Sequence, residues 1–584
     1  MASNSSRLMT GNRGPGHGNL RGVDTAQSPQ FEGSFGRMFR ALPAASFNEG
    51  DLENLALGSG SGKDKIEGMT ADPEVDQING QDRRDDNGFL VPAATHEDQV
   101  DDEENFGIPA GYTYLGQFID HDITFDPASS LQRQNDPDAL VDFRTPALDL
   151  DNLYGRGPAD QPYMYEPDGI RFALGRQLTR NGKPSKGKDL LRSNGTNRAL
   201  IGDKRNDENV IVSQLHGVLL RFHNFVADEL LKTSPDAAFE DVQRIVRWHY
   251  QWVVLHDFLP RILGLKVVQD VLPHLKNGTS IYKDKPELHF FQWKNDPFMP
   301  VEFSVAAYRF GHSMVRPIYR LNTELGTGAS QDEINRGVDG RQFIFAAVQD
   351  QGLNGFREFP GVWAIDWNLF FETRGKLDDS GNRGPNRVQP AYKIDSSLVN
   401  PLAFLPEFSE EKSSTGGDLK QDADGHPVPK LKAISNLAHR NLLRGLNMGL
   451  PSGQAVARHM GLEPIPDAQL TVGKANVDGL TGNKVITAFG KSFKENAPLW
   501  FYVLAEAQHD WVRAAQKSHE NDDAKNMIHV RLGPVGGRIV AEVLIGLMLG
   551  DPHSFLSQWP TWKPWFADKG RFGMPELLKT IGLG

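Results

Sequence analysis

The stretch Gly111–Pro127, GYTYLGQFIDHDITFDP, is the part of the sequence from which the rest of the chain is best interpreted. Leu115, Phe118 and Ile119 recur at helical spacing, so the middle of the stretch is predicted to form a short buried helix. The same turns carry several polar side chains, and a buried polar group is costly unless it has a partner. The stretch is therefore predicted to belong to an active site as well as to the core.

The polar residues of this predicted helix point in two directions. Gln117 and His121 are four residues apart and share one face, since a helix stacks side chains at that spacing. Asp120 and Asp122 flank the histidine, and Asp122 points to another side. A single His–Asp pair would be best explained as the satisfied end of a surface helix. The apolar surroundings and the number of polar groups favour an active-site helix instead.

The sequence GQFIDHDITFDP closely resembles the distal-haem helix of the animal-type haem peroxidases, the superfamily of myeloperoxidase, lactoperoxidase, peroxidasin and the cyclooxygenases. The longer GYTYLGQFIDHDITFDP looks most like the bacterial branch of that superfamily. The resemblance implies a haem b cofactor, with Gln117 orienting peroxide or a halide and His121 acting as the acid–base catalyst. Asp120 would match one of two carboxylates that form esters with the haem.

Composition limits the function without deciding it. The 584 residues are 39% hydrophobic and 24% charged, as in ordinary soluble globular proteins, and the net charge of −12 argues against nucleic-acid binding. The chain has no cysteine, which excludes disulfides, zinc–thiolate sites, iron–sulfur clusters and cysteine nucleophiles. The animal members of the superfamily are typically secreted and disulfide-bonded, so the chain departs from them here.

The N-terminal sequence has no apolar core of the kind that a signal peptide needs. The longest apolar run, Ile539–Leu549, is interrupted by Glu542 and is too short to span a bilayer. A soluble protein with no membrane span is therefore expected, either cytoplasmic or exported by an unconventional route.

Helical periodicity is common along the chain and strand-like alternation is scarce. We therefore predict a mainly α protein, with a flexible tail over residues 1–30 followed by one large helical domain over residues 31–584. The resemblance implies that this haem peroxidase domain is built around a buried haem. A Gly-, Asp-, Ser- and Pro-rich excursion, Asp379–Gly425, is predicted to consist of loops or a family-specific insertion.

The segment Asp142–Pro158, DFRTPALDLDNLYGRGP, offers hard oxygen ligands of the kind that calcium prefers. Its spacing is not that of an EF-hand loop, and an acidic turn alone would explain a short Asp-x-Asp sequence. The segment nevertheless looks like the calcium loop of the animal haem peroxidases. That resemblance implies a calcium ion bound by Thr145, the Ala147 carbonyl, Asp149, Asp151 and Asp122. Asp151 stands where serine is common, and the extra carboxylate should strengthen binding.

The loop Gly202–Asn209 matches the family's GDxRxxE segment. The resemblance implies that Arg205 works with the distal histidine and that Glu208 forms the second haem ester. Asn209 departs from myeloperoxidase, in which a methionine at this position makes a third, sulfonium link to the haem. A member that lacks this methionine is expected to be a weaker halide oxidant.

Two amphipathic helices are predicted next, one within residues 199–232 and one over Phe239–Leu263. The second begins with acidic residues, as the helix dipole favours. The histidines of both helices are predicted to be satisfied core residues: His216, His223, His249 and His256.

Val301–Arg316, VEFSVAAYRFGHSMVR, is predicted to be a second buried helix, ended by Pro317. Gly311 removes side-chain bulk beside His312, which lets a flat cofactor approach the helix closely. A lone histidine on such a face is usually structural, but AYRFGHS closely matches the family's proximal-histidine motif. The resemblance implies that His312 is the axial iron ligand and that Arg309 meets a haem propionate.

The segment His439–Gly453, HRNLLRGLNMGLPSG, resembles the family's Leu-Asn-x-x-Arg segment before a Gly-Leu-Pro turn. The resemblance implies that Asn441 hydrogen-bonds the proximal imidazole and that Arg444 reaches a propionate. Where the family has the sequence Arg-Asp-His-Gly, this chain has LNMG.

Near the end of the chain, the segment LGPVGGRIVAEV lacks the preceding strand and the Lys-Ser/Thr of a P-loop, so a nucleotide site is rejected.

Together the motifs imply a haem-dependent peroxidase that reduces hydrogen peroxide and oxidises small donors such as halides, thiocyanate or phenols, with a place in the response to oxidative stress. Two alternatives stay open: a haem fatty-acid oxygenase of the cyclooxygenase or alpha-dioxygenase kind, and a non-catalytic calcium-binding structural module. The oxygenases need a tyrosine three residues before the proximal histidine. Here that position is Arg309, and Tyr308 is predicted to face elsewhere on the helix. Retention of His121, Arg205 and His312 argues against the module.

Overall fold

The computed structural model describes most of the chain from Gly33 to the C-terminus. The described residues are 33–60, 65–70, 77–78, 81–82, 102–125, 141–142, 144–180, 183–294, 297–323, 341–345, 352–374, 387–403, 405, 420–421, 427–428 and 434–584. The predicted tail, residues 1–30, and much of the predicted excursion, Asp379–Gly425, lie outside these residues. The assignment of residues 31–584 to one domain stays a prediction.

Helices make up most of the regular structure in the described part of the chain, which confirms the predicted mainly α class. The α-helices span Glu49–Leu57, Gly111–Ile123, Asp151–Tyr154, Val210–Thr233, Phe239–Val253, Leu259–Leu263, Leu265–Val271, Pro273–Asn277, Leu437–Asn447, Gly453–His459, Gly479–Gly482, Leu499–Lys517, Asp522–Asn526, Pro534–Gly550, Phe555–Gln558 and Met574–Thr580. Short 3₁₀ helices span Pro162–Met164, Lys204–Asp207, Ala307–His312, Gly361–Trp363, Trp367–Leu369, Asn400–Ala403, Asp467–Gln469, Ile486–Ala488 and Lys491–Phe493.

The strands are short. Those in the described residues span Gly33–Gly36, Gln77–Ile78, Gln81–Asp82, Glu104–Pro109, Val141–Asp142, Gln177–Arg180, Lys183–Lys188, Met299–Pro300, Ile318–Arg320, Arg341–Phe343, Pro390–Tyr392, Lys420–Gln421, Pro427–Val428, Thr471–Val472 and Lys484–Val485. In the three-stranded sheet, Gly33–Gly36 lies between antiparallel Val141–Asp142 and parallel Met299–Pro300. Glu104–Pro109 pairs with Pro390–Tyr392 and leads directly into the next helix.

That next helix, Gly111–Ile123, is the predicted buried helix and is called the distal helix below. Its apolar residues Leu115, Phe118 and Ile119 are buried, as their spacing predicts. Phe118 packs edge-on against Tyr250, with ring centroids 6.1 Å apart. Each such buried side chain contributes about 1.5–3 kcal/mol of hydrophobic free energy. This packing fixes which face of the distal helix is left for the polar residues.

The two predicted amphipathic helices are confirmed at Val210–Thr233 and Phe239–Val253. The second continues through a π turn, Val254–Phe258, into Leu259–Leu263. A π turn widens the helix locally and therefore changes the direction of the side chains that follow it. Asp257 lies within this turn and hydrogen-bonds the distal helix.

Two of the histidines on these helices are satisfied in the core, as predicted. His223 donates from Nε2 to the Ile170 carbonyl at 2.8 Å, and its Nδ1 lies 3.0 Å from a tyrosine hydroxyl. His249 donates from Nδ1 to a main-chain carbonyl one turn earlier at 2.8 Å, and its Nε2 accepts from the backbone N–H of Trp565 at 3.0 Å. His256 stacks on a neighbouring tryptophan, with ring centroids 3.9 Å apart.

The segment Glu302–His312, called the proximal segment below, is helical but irregular, and the prediction that Pro317 ends it is wrong. It begins as a π turn, continues from Ala307 as a 3₁₀ helix and stops at the histidine. Side chains satisfy the carbonyls that this backbone leaves open. Arg309 donates from Nε to a carbonyl of the π turn at 3.0 Å, and Trp500 donates from Nε1 to the Arg309 carbonyl at 3.1 Å.

The apolar helix Pro534–Gly550 is buried along nearly all of its length. Among the described residues, no helix is long and apolar enough to cross a membrane. Glu542 lies inside this helix and is fully buried. Its carboxylate accepts hydrogen bonds from the backbone N–H groups of residues 289–291 and from Arg538 Nε.

We predict that Glu542→Ala lowers the free energy of unfolding by about 3–5 kcal/mol, because it leaves buried donors without an acceptor. Urea or guanidinium unfolding followed by circular dichroism measures this. The matched control is Glu229→Ala, which removes a surface ion pair with Lys232 and is expected to cost less than about 1 kcal/mol. Equal losses in the two variants would contradict the assigned role.

Candidate functional site

A cavity of about 340 Å³ lies between the distal helix and the proximal segment. Polar residues predicted from the motifs line it together: Gln117, Asp120, His121, Glu208, Arg309 and His312. Apolar side chains close other parts of the wall: Val315, Ile344, Phe345, Leu402, Leu405 and Leu437. Residues far apart in the sequence are thus brought around one space.

His121 is buried, and an amide side chain fixes its orientation. Asn206 Oδ1 accepts a hydrogen bond from His121 Nδ1 at 2.8 Å, while Asn206 Nδ2 donates to His216 Nδ1 at 3.0 Å. This arrangement leaves the lone pair of His121 on Nε2, which is 3.9 Å from Glu208 Oε1. Burial and the nearby Arg205 lower the pKa of His121 to about 3, so the ring is neutral at neutral pH.

His216 differs from its prediction as a fully satisfied core residue. It is completely buried, and its Nδ1 contacts Asn206, but its Nε2 has no partner among the described residues. Burial lowers the pKa of His216 to about 3. The residue therefore supports the amide that orients the distal histidine.

Three polar side chains form a connected row along the distal wall. Gln117 donates from Nε2 to the Glu208 carboxylate, and Asn209 donates from Nδ2 to Gln117 Oε1 at 3.2 Å. Asn209 Oδ1 also accepts from the backbone N–H groups of Ile211 and Val212, at 3.1 and 2.9 Å. Asn209 is therefore the N-cap of the following helix, and it has a structural role of its own.

Arg205 lies behind the distal helix and is not part of the cavity wall formed by the described residues. Its Nη2 donates to the main-chain carbonyls of His121 and Thr124, at 3.1 and 2.6 Å, and to Asp203 Oδ2 at 2.7 Å. Asp203 is buried and also binds Arg144 Nη2 at 2.6 Å. Burial alone would raise the pKa of the Asp203 carboxyl, but Arg205 and Arg144 lower it well below its ordinary value.

Asp120 and Glu208, the two predicted ester-forming carboxylates, both line the cavity. Burial raises the pKa of the Asp120 carboxyl, although Arg205 and Arg309 oppose that shift. The side chain of Glu208 is 32% exposed. Both carboxylates are therefore available to a group held in the same space.

On the opposite wall, His312 is held by Asn441, as the resemblance implies. Asn441 Nδ2 lies 2.8 Å from His312 Nδ1, and Asn441 Oδ1 accepts from Arg309 Nη1 at 2.5 Å. Burial and Arg309 lower the pKa of His312 to about 3, so this imidazole is also neutral. With Nδ1 engaged, Nε2 is the nitrogen left for a ligand in the cavity.

Tyr308 lines the cavity, which corrects the prediction that it faces elsewhere. Its hydroxyl donates to the main-chain carbonyl of Gly116 on the distal helix at 3.2 Å. A Cβ atom built on Gly311 would meet no atom within 4 Å, so open space adjoins this glycine. The residues Tyr308–His312 all line the wall, because the narrow 3₁₀ backbone runs along it.

Arg444 lies on the helix Leu437–Asn447, which also carries Asn441. Leu437 lines the cavity, whereas Arg444 is not part of the described cavity wall. The contact of Arg444 with a propionate stays a prediction.

An acidic cluster formed by the fully buried Asp122 and the half-buried Asp149 and Asp151 adjoins the distal helix. Burial and Asp151 raise the pKa of Asp122 to about 7, and burial, Asp151 and Asp122 raise the pKa of Asp149. Asp122 Oδ2 accepts from the backbone N–H of Leu150 at 3.2 Å, and the Tyr250 hydroxyl interacts with the same carboxylate. Thr145 donates from Oγ1 to Asp151 Oδ2 at 2.9 Å.

The predicted calcium ligands are thus neighbours, and Ala147 lies buried in the same loop. Within the described ranges, however, no group of three or more His, Asp or Glu side chains is gathered closely enough to hold a metal ion as it stands. The cluster therefore brings carboxylates near one another, but its described residues do not form a complete set of metal ligands.

Asn206 and Asp203 were not among the predicted site residues, although both lie in the loop that carries the GDxRxxE motif. The run of polar residues in that loop was a usable signal, because a buried loop needs side chains that hydrogen-bond its backbone and pair with its arginine, Arg205. The hydrogen bond of 2.7 Å from the Tyr112 hydroxyl to Asp257 Oδ2 was not foreseeable, because its partners are 145 residues apart.

Comparison with known proteins adds an independent line of argument. Residues 129–347 match the family model for animal haem peroxidase. The chain is 30% identical to human thyroid peroxidase over 316 residues, which is 53% of this chain and 27% of that protein. It is 34% identical to a peroxidase-like protein of Margaritifera margaritifera over 125 residues, which is 20% of this chain and 14% of the relative.

A solved structure is similar to the whole chain. Peroxidase A from Dictyostelium discoideum superposes with a TM-score of 0.53 at 14% identity, covering 97% of both chains. This likeness supports the fold alone. The family model and the relatives named peroxidase confirm the resemblance stated from the motifs: residues 129–347 are similar to the animal haem peroxidase domain. Its assignment to the bacterial branch stays a prediction.

The chain spans less than half the length of the curated relatives it matches, with 14%, 27% and 35% covered for the Margaritifera protein, human thyroid peroxidase and human eosinophil peroxidase.

Proposed function

We propose that this protein is a haem-dependent peroxidase that reduces hydrogen peroxide and oxidises small-molecule donors. One observation carries the proposal. Two neutral histidines, the buried His121 and the half-buried His312, lie on two walls of one cavity. Each has its Nδ1 hydrogen-bonded to an asparagine, so Nε2 is the ring nitrogen left for chemistry in the cavity.

The residues on the cavity wall fit a haem. Open space adjoins Gly311, and the neutral His312 has Nε2 available as an iron ligand, so we propose His312 as the axial ligand. Arg309 is proposed to meet a propionate, and Arg444 is proposed to reach the other. When bound, haem would supply the iron that exchanges electrons with peroxide and donor.

The distal residues would move the peroxide protons. His121 Nε2 would take the proton from the nearer peroxide oxygen and return it to the farther one, so that water leaves. Positioned acid–base catalysis of this kind typically contributes ~10²–10⁴-fold. Gln117 would orient peroxide or a halide by hydrogen bonding in the same pocket.

Arg205 would contribute in two ways. We propose, as the motif implies, that its positive charge stabilises the charge developing on the departing oxygen. Its contacts with the carbonyls of His121 and Thr124 also make it a positioning residue, because they fix the end of the distal helix.

The acidic cluster would hold calcium through Asp122, Asp149, Asp151, Thr145 and the Ala147 carbonyl. Burial and repulsion among these carboxylates raise the pKa values of Asp122 and Asp149, and a divalent cation would relieve that repulsion. Because Asp122 adjoins His121, the ion would brace the distal histidine from behind.

A fatty-acid oxygenase remains the second candidate, because Tyr308 faces the cavity. The two functions differ in their oxidant. Oxygen uptake with a long-chain fatty acid would favour the oxygenase, whereas peroxide-dependent oxidation of small donors favours the peroxidase. A purified protein without a Soret band would favour the non-catalytic calcium-binding module.

We predict that His312→Ala loses haem or its high-spin ferric spectrum, because no other side chain is proposed as the axial ligand. Absorption spectroscopy of the purified variant measures this, and His519→Ala on the surface is the control. An unchanged spectrum with full activity in His312→Ala would refute the assignment.

We predict that His121→Ala keeps its haem but reacts with peroxide ~10²–10⁴-fold more slowly, because the proton acceptor is lost. Stopped-flow absorption measures the rate. Rates close to those of the unchanged protein would rule out the base role of His121.

We predict that the extensively dialysed protein retains calcium, and that Asp149→Ala lowers both the calcium content and the thermal stability of haem binding. Elemental analysis and thermal melts measure these two effects. Asp168→Ala, in an exposed turn, is the control. Protein that is free of calcium yet fully active would exclude the site.

We predict that the enzyme oxidises iodide and thiocyanate well, bromide less well and chloride poorly. Esters from Asp120 and Glu208 would tether and distort the porphyrin, while Asn209 removes the electron-withdrawing sulfonium charge, and both factors tune the haem potential. Mass spectrometry of the haem peptide tests the esters, with Asp120→Asn and Glu208→Gln each expected to lose one. Chlorination at neutral pH as fast as bromination would contradict this interpretation of Asn209.

A further inference from the structure

Three tyrosine side chains line the cavity, and their hydroxyl groups have different surroundings: Tyr112, Tyr114 and Tyr308. Tyr308 donates to a main-chain carbonyl, which cannot take up a proton. Tyr114 packs edge-on against another phenol, Tyr319, with ring centroids 5.4 Å apart. Tyr112 donates to the Asp257 carboxylate at 2.7 Å, and a carboxylate can accept the proton outright.

This difference matters for oxidation, because a phenol that loses an electron becomes a strong acid. Because burial limits contact with bulk water, the electron leaves most easily where a base is already hydrogen-bonded to the phenol. Tyr112 is completely buried, and Asp257 Oδ2 is in place to receive its proton. Burial and Asp257 also raise the pKa of the Tyr112 hydroxyl well above its ordinary value, so the proton stays on the phenol until the electron leaves.

The charges around Tyr112 favour the loss of an electron. Arg261 donates from Nε to Asp257 Oδ1 at 3.0 Å and from Nη2 to Glu372 Oε2 at 2.7 Å, and its guanidinium lies 4.6 Å from the Tyr112 ring centroid. These three charged groups sum to −1. When Tyr112 loses an electron and its proton moves to Asp257, the net charge of these groups changes from −1 to zero. This change is electrostatically favourable in a site of low dielectric constant.

We propose that Tyr112 is a redox-active residue that supplies one electron to the haem site during peroxide reduction, with Asp257 as its proton acceptor. The proposal rests on the proposed peroxidase function. Peroxide takes up two electrons and two protons to give two waters. One electron would come from Tyr112 and the other from the haem group, and both protons taken up by peroxide would come from solvent water. The O–H bond of Tyr112 would break, and its proton would form an O–H bond on Asp257. The product is a neutral phenoxyl radical inside the protein.

The test is rapid freeze-quench electron paramagnetic resonance of the haem-loaded protein mixed with an equimolar amount of hydrogen peroxide. The expected result is a tyrosyl radical whose hyperfine pattern changes in protein grown with ring-deuterated tyrosine. Tyr112→Phe is expected to lose this signal, and Tyr308→Phe, the matched cavity control, is expected to keep it.

Asp257→Asn tests the proton acceptor while Tyr112 stays in place, because an amide can accept the hydrogen bond but cannot take up the proton. Its radical yield is expected to fall, with haem binding unchanged in the absorption spectrum. An undiminished yield in Asp257→Asn overturns the role of Asp257. A signal retained in Tyr112→Phe, or peroxide consumption without any tyrosyl signal, overturns the role of Tyr112. Protein that binds no haem or consumes no peroxide overturns the proposed function itself, and the Soret band separates that outcome from the others.

Discussion

The distal side of the cavity depends on one buried carboxylate, Asp203. It binds two guanidinium groups, and one of them, Arg205, in turn holds the main-chain carbonyls of His121 and Thr124. Removing one partner from such a buried network costs about 3–5 kcal/mol, because it leaves charges unpaired in a low-dielectric interior. The end of the distal helix is therefore fixed by an ion-pair network that also sets the position of the adjoining loop, which carries Asn206.

The imidazoles of His121 and His312 both have lowered pKa values, but the residues around the two rings differ. Burial and a nearby arginine keep His121 and His312 neutral. At His121, whose Nδ1 donates to Asn206, the lone pair lies on Nε2. The distal ring has a carboxylate and an amide in its vicinity, whereas the proximal ring lies beside open space at Gly311. In the proposed function, these different surroundings would suit the distal ring to proton transfer and the proximal ring to binding iron.

The distal helix and its polar, cavity-lining face could be predicted from the sequence, because the apolar periodicity within Gly111–Ile123 is a local signal. It predicted the proximal segment less well, since the irregular backbone there is stabilised from outside by Trp500, which comes from a distant helix. The predicted direction of the Tyr308 side chain was wrong, because the cavity runs along the proximal segment and consecutive residues of that segment line it. Asn209 was interpreted as a lost methionine, yet an asparagine before an apolar run is also an N-cap signal. The Tyr112–Asp257 contact depends on tertiary packing and had no local signature.

The cavity has a consequence for how the protein must assemble. The contact between Tyr308 and Gly116 joins residues 192 positions apart, and the contact between Asn441 and His312 joins residues 129 positions apart. Such non-local contacts form late, because the entropy of closing long loops has to be overcome first. A growing chain that has not yet reached Asn441 contains the whole distal helix but cannot hold the proximal imidazole in place. If the cavity binds a cofactor, as proposed, that cofactor would therefore be captured late in folding, after the two walls have come together.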